Sequence, residues 1–388
     1  MKRITPDIYY IGYNDNKIDL FESQLPLSHG MAYNSYLILD EKIAIIDSVE
    51  LPGKDVWFSS IKEILGNREP DYLVIEHMEP DHSGSILEFI KKYPSAKIIT
   101  NQLSLMLLNQ FFDYDFSDRV IVIKEKDKIS LGKHSLEFYF APMIHWPEVL
   151  MVYEEYSKTF FSADAFGKFG VIDTEDNWID EARRYYFGIV AKYGIQVQNL
   201  LKKIQHLQID RICSLHGPIL DKDLGKYIAL YDKWSKYESE NTDGVFIAYT
   251  SVYGNTEKAV KLLEEELRDQ GVKDVLSRDL SLTQIHENIA HAFRYKKIVL
   301  ATTTYNTGIF PTMHYFLHGL IERNWQNKTI GIIENGSWVP QAEKEMKNFL
   351  SPCKNLKFVE KSVHIKSGIK DNNIDEIKAL AEILRKEE

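Results

Sequence analysis

The segment Glu76-His77-Met78-Glu79-Pro80-Asp81-His82-Ser83-Gly84 constrains this chain more than any other. It follows the apolar run Tyr72-Leu73-Val74-Ile75, so a buried strand delivers His77, Glu79, Asp81 and His82 into a loop and a following helix. Two imidazoles and two carboxylates brought together are costly unless a cation pairs with them. Any one of the four alone reads as a solvated loop residue or a hydrogen-bonded histidine. Clustered, they predict a metal site, because imidazole and carboxylate are common ligands of transition metals.

At 388 residues the chain is too long for one ordinary core, and two domains are expected. A hydrophobic fraction of 44% with 27% charged residues is that of a soluble globular protein. The net charge of -10 argues against nucleic acid as a partner. Cys213 and Cys353 lie far apart and cannot build a zinc ribbon, a rubredoxin-type iron site or an iron–sulfur cluster within one chain. A disulfide framework is equally unexpected, which fits a reducing cytoplasm. The N-terminus runs straight into Ile8-Tyr9-Tyr10-Ile11 without the apolar core of a signal peptide, and no apolar run approaches the ~18 to 20 residues of a membrane helix. The expectation is a cytoplasmic protein with no membrane partner.

The first half alternates short strands with helices. Residues 35–39 and 42–47 flank Asp40-Glu41 as a hairpin with a two-residue turn, and 54–65 reads as a helix stopped by Gly66. Ser83 is expected to cap the next helix, and further strands are expected at 97–100, 120–123, 135–140, 149–153 and 159–162. His145, Asp164 and His216 each stand just past an apolar strand, where loops on a rigid sheet carry ligand and catalytic groups. A helical stretch over 178–205 is interrupted near Tyr193-Gly194, a helix over 224–237 closes the first domain, and the polar run 238–244 is expected to be the linker. The domains are accordingly placed at 1–240 and 245–388.

The second half restarts as alternating strand and helix, the signature of a doubly wound parallel sheet. Thr250-Ser251-Val252-Tyr253-Gly254-Asn255-Thr256 joins the strand at 245–249 to an amphipathic helix. The hydroxyls of Thr250, Ser251 and Thr256, the Asn255 amide and the loop N–H groups make a phosphate cradle. It lacks the lysine of a Walker loop and the glycine spacing of a dinucleotide fingerprint, so a monophosphate is preferred. Thr302-Thr303-Thr304-Tyr305-Asn306-Thr307-Gly308 and Glu334-Asn335-Gly336-Ser337-Trp338 follow later strands, and Tyr305 and Trp338 are placed to flank a flat ring. Jointly the three loops resemble the flavodoxin pattern for FMN, with Tyr253 and Gly254 in the first loop.

The motif His77-x-Glu79-x-Asp81-His82, followed by His145, Asp164 and His216, resembles the metallo-β-lactamase fold, and the whole chain resembles the flavodiiron proteins. The resemblance implies an α/β architecture: an N-terminal αββα metallo-β-lactamase-like sandwich holding two iron ions and a C-terminal flavodoxin-like sheet holding FMN. It assigns His77, Glu79 and His145 to one iron, Asp81, His82 and His216 to the other, and Asp164 as the bridge. Hydrolases of this fold carry histidine where Glu79 stands, and a harder carboxylate donor suits iron that changes oxidation state. His29 and Tyr193 resemble residues near the distal pocket of family members, with proton supply as their implied role.

The implied reaction is four-electron reduction of dioxygen to water, with reduction of nitric oxide to nitrous oxide at the same site as the alternative. A zinc hydrolase fused to a flavin carrier and a pure electron-transfer module are the rivals. By resemblance, electrons come from a rubredoxin or a reduced deazaflavin coenzyme, and a head-to-tail homodimer, or a dimer of such dimers, brings the flavin of one subunit to the irons of another.

Overall fold

The computed structural model describes residues 2–175 and 177–387. It divides into two compact units, Met1–Tyr186 with Ile195–Asp232, and Phe187–Gly194 with Lys233–Glu388.

The first unit is built on two sheets. One runs in the order Lys2–Arg3, Ile8–Tyr10, Tyr36–Ile38, Ala44–Ile46, Tyr72–Val74, Lys97–Thr100 and Val120–Val122, antiparallel at its start and parallel from Ala44–Ile46 onward. The other runs Lys128–Ser130, Ser135–Phe140, Leu150–Glu154, Thr159–Phe161 and Arg211–Cys213. Alternate side chains of the two sheets meet in one core: Tyr36, Ile38, Ile46, Val74 and Ile99 from the first, Phe138, Leu150, Val152, Phe161 and Cys213 from the second. The intervening positions Leu37, Ile45, Leu73 and Ile98 are also fully buried, which requires a cover on the outer face. Helix Lys54–Leu65 buries Trp57, Phe58, Ile61 and Leu65. The unit is the expected sandwich of two sheets.

In the second unit the main sheet runs Val275–Asp279, Asn241–Tyr249, Tyr295–Tyr305, Lys328–Asn335 and Leu356–Phe358, all parallel. In chain order this is 2-1-3-4-5, the flavodoxin-like arrangement, whose ligands bind beyond the carboxyl ends of the strands. Helices Asn255–Asp269 and Asp371–Lys386 share a core with Val245, Ile247, Val299 and Ile333. Phe246, pointing the other way, meets the ring of His291 on helix Ile285–Arg294. Both faces of the sheet are covered, as its continuous apolar strands require.

Several local expectations are corrected. Tyr36–Ile38 and Ala44–Ile46 do form a hairpin, but Ile38 pairs with Ala44, so the turn spans 39–43. Its polar groups are held from outside, Lys42 N–H by Leu131 O and Ile43 N–H by Asp71, and a tight two-residue turn has nothing to gain. Ser83 caps no helix. It ends the short helix Pro80–Ser83 and its hydroxyl donates to Met78 O, while the next helix, Ile86–Lys92, starts after Ser85. Residues 241–244 belong to strand Asn241–Tyr249, with an irregularity between Asn241 and Val245 that lets polar residues enter a sheet. The helical stretch after Trp178 is interrupted up to Tyr193-Gly194 as expected, but the break starts earlier, in a wide turn at Tyr186–Val190. Phe187 there stacks on Phe293 at 4.2 Å, and its carbonyl accepts from Arg323 Nε. Among the described residues no helix is long and apolar enough to cross a membrane.

Candidate diiron and flavin sites

Strand Tyr72–Val74 ends against a set of fixed polar groups. Glu76 is fully buried; its carboxylate accepts from Val152 N–H and Ala163 N–H, and its own N–H donates to the Asp47 carboxylate. Burial pushes both acids up, Asp47 to about 8. These bonds tie the first sheet to the second where His77 leaves the strand.

From there the backbone aims the side chains. Glu79 is the extended residue before Pro80, and the Pro80–Ser83 turn carries Asp81 and His82, with the His82 carbonyl accepting from the Ser48 hydroxyl. Asp164 follows Thr159–Phe161 in a turn where Gly167 N–H donates to Asp164 O, and a β-carbon at Gly167 would lie 3.0 Å from that oxygen and 3.2 Å from His216 Cβ. A side chain there would press the two loops apart by a few tenths of an ångström.

The seven acids and imidazoles meet in two groups. His77, Glu79, His145 and Asp164 form one, and Asp81, His82 and His216 the other; within each group the nearest ligand atoms all lie within 4.8 Å of one another. Asp164 belongs to both by geometry. Its Oδ2 lies 3.4 Å from His77 Nε2 and 3.1 Å from His145 Nε2, and its Oδ1 lies 3.4 Å from His82 Nε2 and 3.5 Å from His216 Nε2.

The hydrogen bonds around the rings test whether these residues suit metal ions. His77 Nδ1 sits 2.8 Å from Glu148 Oε1 and His216 Nδ1 2.8 Å from the carbonyl of Ala32. Neither oxygen carries a hydrogen when the glutamate is ionised, so both Nδ1 atoms are the N–H donors, and in the neutral rings that a metal requires both Nε2 atoms present lone pairs inward. There they face carboxylate oxygens, and among the described residues only imidazole nitrogens, at 3.1 to 3.5 Å, approach the buried oxygens of Asp81 and of Asp164. Lone pairs aimed at lone pairs in a buried site call for cations between them. The same field acts on the rings themselves. Burial draws His82 and His145 down, yet the neighbouring carboxylates overcome it and push them up to about 10 and about 9. The donor set fits two metal ions.

Sequence reasoning missed Glu148, Glu76 and Asp47. Glu148 stands three residues after His145 and signals itself only weakly there; its meeting with His77 and with Met78 N–H, at 2.9 Å, is a tertiary event. The aromatic shell was also not foreseen: Tyr185 and Tyr33 lie 5.5 and 5.9 Å from the His216 ring, and Phe21 lies 5.5 Å from it. His29 is exposed, and Tyr193 is half-buried in the turn Ala191–Tyr193. Among the described residues His29 makes no side-chain hydrogen bond or ring contact with the cluster, and Tyr193 falls in the second unit.

In the second unit the flavin loops gather at the carboxyl edge of the sheet. Ser251 Oγ accepts from Gly254 N–H and Glu257 N–H, which folds residues 251–257 over the start of helix Asn255–Asp269, and Gly254 has a positive φ of 83°. Thr250 and Thr302 hydroxyls bond at 2.6 Å and fasten the first loop to the second strand end. Thr302 to Tyr305 turns out to be strand, extended by a hairpin to Gly308–Ile309 that puts Asn306 and Thr307 at its positive-φ tip. Glu334 and Asn335 likewise end a strand; Thr303 donates to Asn335 O, and Thr304 Oγ1 accepts from Gln341 and Ala342 N–H. Gly336 N–H donates to Ile365 O and Ser337 accepts from Ser367. Thr256 is buried in the helix. Against this ordered base Tyr253 and Trp338 are 90% and 86% exposed and Tyr305 46%. Large rings held bare around a helix N-terminus fit a flat aromatic ligand carrying a phosphate.

The comparisons agree with this geometry. Residues 31–217 match the family model described as ODP family beta lactamase. The chain is 30% identical to a nitric oxide reductase of Moorella thermoacetica over 362 residues, 90% of each chain, and 29% identical to a rubredoxin-oxygen oxidoreductase of Megalodesulfovibrio gigas over 83% of this chain and 82% of that one. Its fold matches the solved rubredoxin oxygen:oxidoreductase of Desulfovibrio gigas with a TM-score of 0.91 at 24% identity, covering 99% of this chain and 97% of that one. The flavodiiron protein of Giardia intestinalis follows at 0.88 and 22%, covering 99% and 96%. Likeness of sequence along nine-tenths of the chain, on the fold and donor set its own residues build, makes this chain a member of the flavodiiron family, oxidoreductases that work with FMN and a diiron centre.

Proposed function

We propose that this flavodiiron oxidoreductase reduces dioxygen to water. His77, Glu79 and His145 would hold one iron, Asp81, His82 and His216 the other, and Asp164 both. The position of Asp164, with one carboxylate oxygen toward each histidine pair, supports the two-metal centre on which this reading stands. Two ferrous ions and a reduced flavin, when bound, would together supply the four electrons that dioxygen takes up. Glu148 and the Ala32 carbonyl fix the rings of His77 and His216, whose Nε2 atoms would serve as the metal ligands. FMN would be held by Thr250, Ser251, Gly254, Asn255 and Thr256 around the phosphate, and by Tyr253, residues 303–308 and residues 335–338 around the ring. The functional domains are 1–240 for the diiron centre and 245–388 for FMN. Roles for His29 and Tyr193 in proton supply rest on resemblance alone.

Nitric oxide is the second reading, favoured by the name of the relative from Moorella thermoacetica. Anaerobic mixing of the fully reduced protein with O2 and with NO, with product analysis, separates them: rapid turnover to water supports the first, and nitrous oxide with sluggish O2 turnover supports the second. We further infer a cytoplasmic protein that receives electrons from a rubredoxin or a reduced deazaflavin coenzyme and works as a head-to-tail homodimer, alone or paired.

A further inference from the structure

A cavity of about 330 Å³ opens over the metal-ligand cluster, with the ligands Glu79 and Asp81 in its lining. Ile18, Leu20 and Phe21 line it as well, together with Glu22, Glu50 and the Tyr33 ring. Four carboxyl groups therefore surround one opening, and no lysine or arginine is among its lining residues. Two of them, Glu79 and Asp81, are accounted for as ligands. Glu22 and Glu50 are not: Glu22 stands exposed beside Gln24, and Glu50 is half-buried against the Tyr33 hydroxyl.

We propose that Glu22 and Glu50 make this mouth a charge filter, which keeps small anions from the metal centre and leaves it open to uncharged diatomic molecules. A pair of metal cations by itself attracts anions such as azide, nitrite or formate. Like charge around the opening opposes their entry, since four carboxyl groups and no cationic side chain line it. A neutral diatomic feels no such barrier and loses little hydration among Ile18, Leu20 and Phe21. The inference rests on the diiron reading and narrows its substrate class.

The test titrates the iron- and FMN-loaded protein with azide and, separately, with NO, following the optical bands of the iron. Replacing both acids, E22Q with E50Q, is expected to raise the azide-to-NO affinity ratio by roughly five- to tenfold per charge removed. Both changes are isosteric, and a measurement on the unaltered protein guards against misfolding: rising ionic strength should tighten azide binding there and have little effect in the double variant. An azide-to-NO ratio unmoved by the double substitution overturns the filter. A protein that takes up no iron, or whose iron ignores NO, overturns the diiron reading instead.

Discussion

Nε2 of His82 lies 3.0 Å from Nε2 of His216, and neither ring has an acceptor of its own there beyond the carboxylates of Asp81 and Asp164. The His216 proton is on Nδ1, bound to Ala32 O, so its Nε2 brings a lone pair to this contact. The arrangement is favourable when a cation accepts those lone pairs.

Asp164 should accordingly matter to both metal positions and His216 to one. Asp164→Asn is expected to lower iron content below one ion per chain, and His216→Ala to leave about half of the iron, both relative to the two-ion centre. Iron analysis after anaerobic purification measures this; full occupancy in the Asp164 variant would contradict the bridging position. The metal-free chain should also melt at lower temperature than the loaded one, because ions that bind only the folded state stabilise it.

Glu148 gives a graded test. Glu148→Gln keeps an oxygen near His77 Nδ1, whereas Glu148→Ala removes it and leaves the ring free to turn. Iron affinity should fall by roughly ten- to a hundredfold in the alanine variant and less in the glutamine variant. Competition with a chelator orders the two.

Trp338 is almost bare, so its loss should cost the apo fold little while weakening the cofactor. Trp338→Ala is predicted to raise the FMN dissociation constant by roughly tenfold, as the loss of one stacked ring implies. Its melting temperature without FMN should stay within a degree or so of the parent protein. Flavin fluorescence titration and a thermal melt report the two quantities.

A pH effect away from both sites is expected at His134, which lies 2.9 Å from Glu154 and 3.3 Å from Asp7. Burial draws the imidazole down, but Glu154 and Asp7 raise it from the ordinary 6.5, and the glutamate is lowered from 4.5 against its own burial. The raised histidine contributes stability that is complete below 6.5 and is lost as pH rises through its folded value. The lowered glutamate contributes above 4.5 and loses its share as pH falls through its folded value. The melting-temperature gap between the parent and His134→Gln should therefore be widest between about pH 4.5 and 6.5 and shrink above neutrality. A gap that grew with pH would refute the pairing.

Much of this could be read from residues in a row. Apolar runs ending in polar loops located most strands, and the six-residue spacing of His77 to His82 announced a metal site, because those ligands sit on one loop and the short helix after it and need no distant partner to be recognised. The turn at Ser251 was legible for the same reason: its hydroxyl bonds N–H groups three and six residues away. Local turn chemistry was less secure, as Ser83 shows, since a hydroxyl before a helix can equally well bond back to a carbonyl.

What depended on the third dimension lies between residues far apart in the chain. His77 finds Glu148 across 71 residues, and Asp164 finds four histidines that no spacing rule connects. The sequence by itself determined which side chains carry ligand chemistry and on which strand ends they stand, because hydrophobic period and turn residues act locally. Only the tertiary structure decided that Asp164 spans both groups, that Glu148 orients His77, and that Glu22 and Glu50 ring the opening, because burial and low dielectric arise only once two sheets close over the same space.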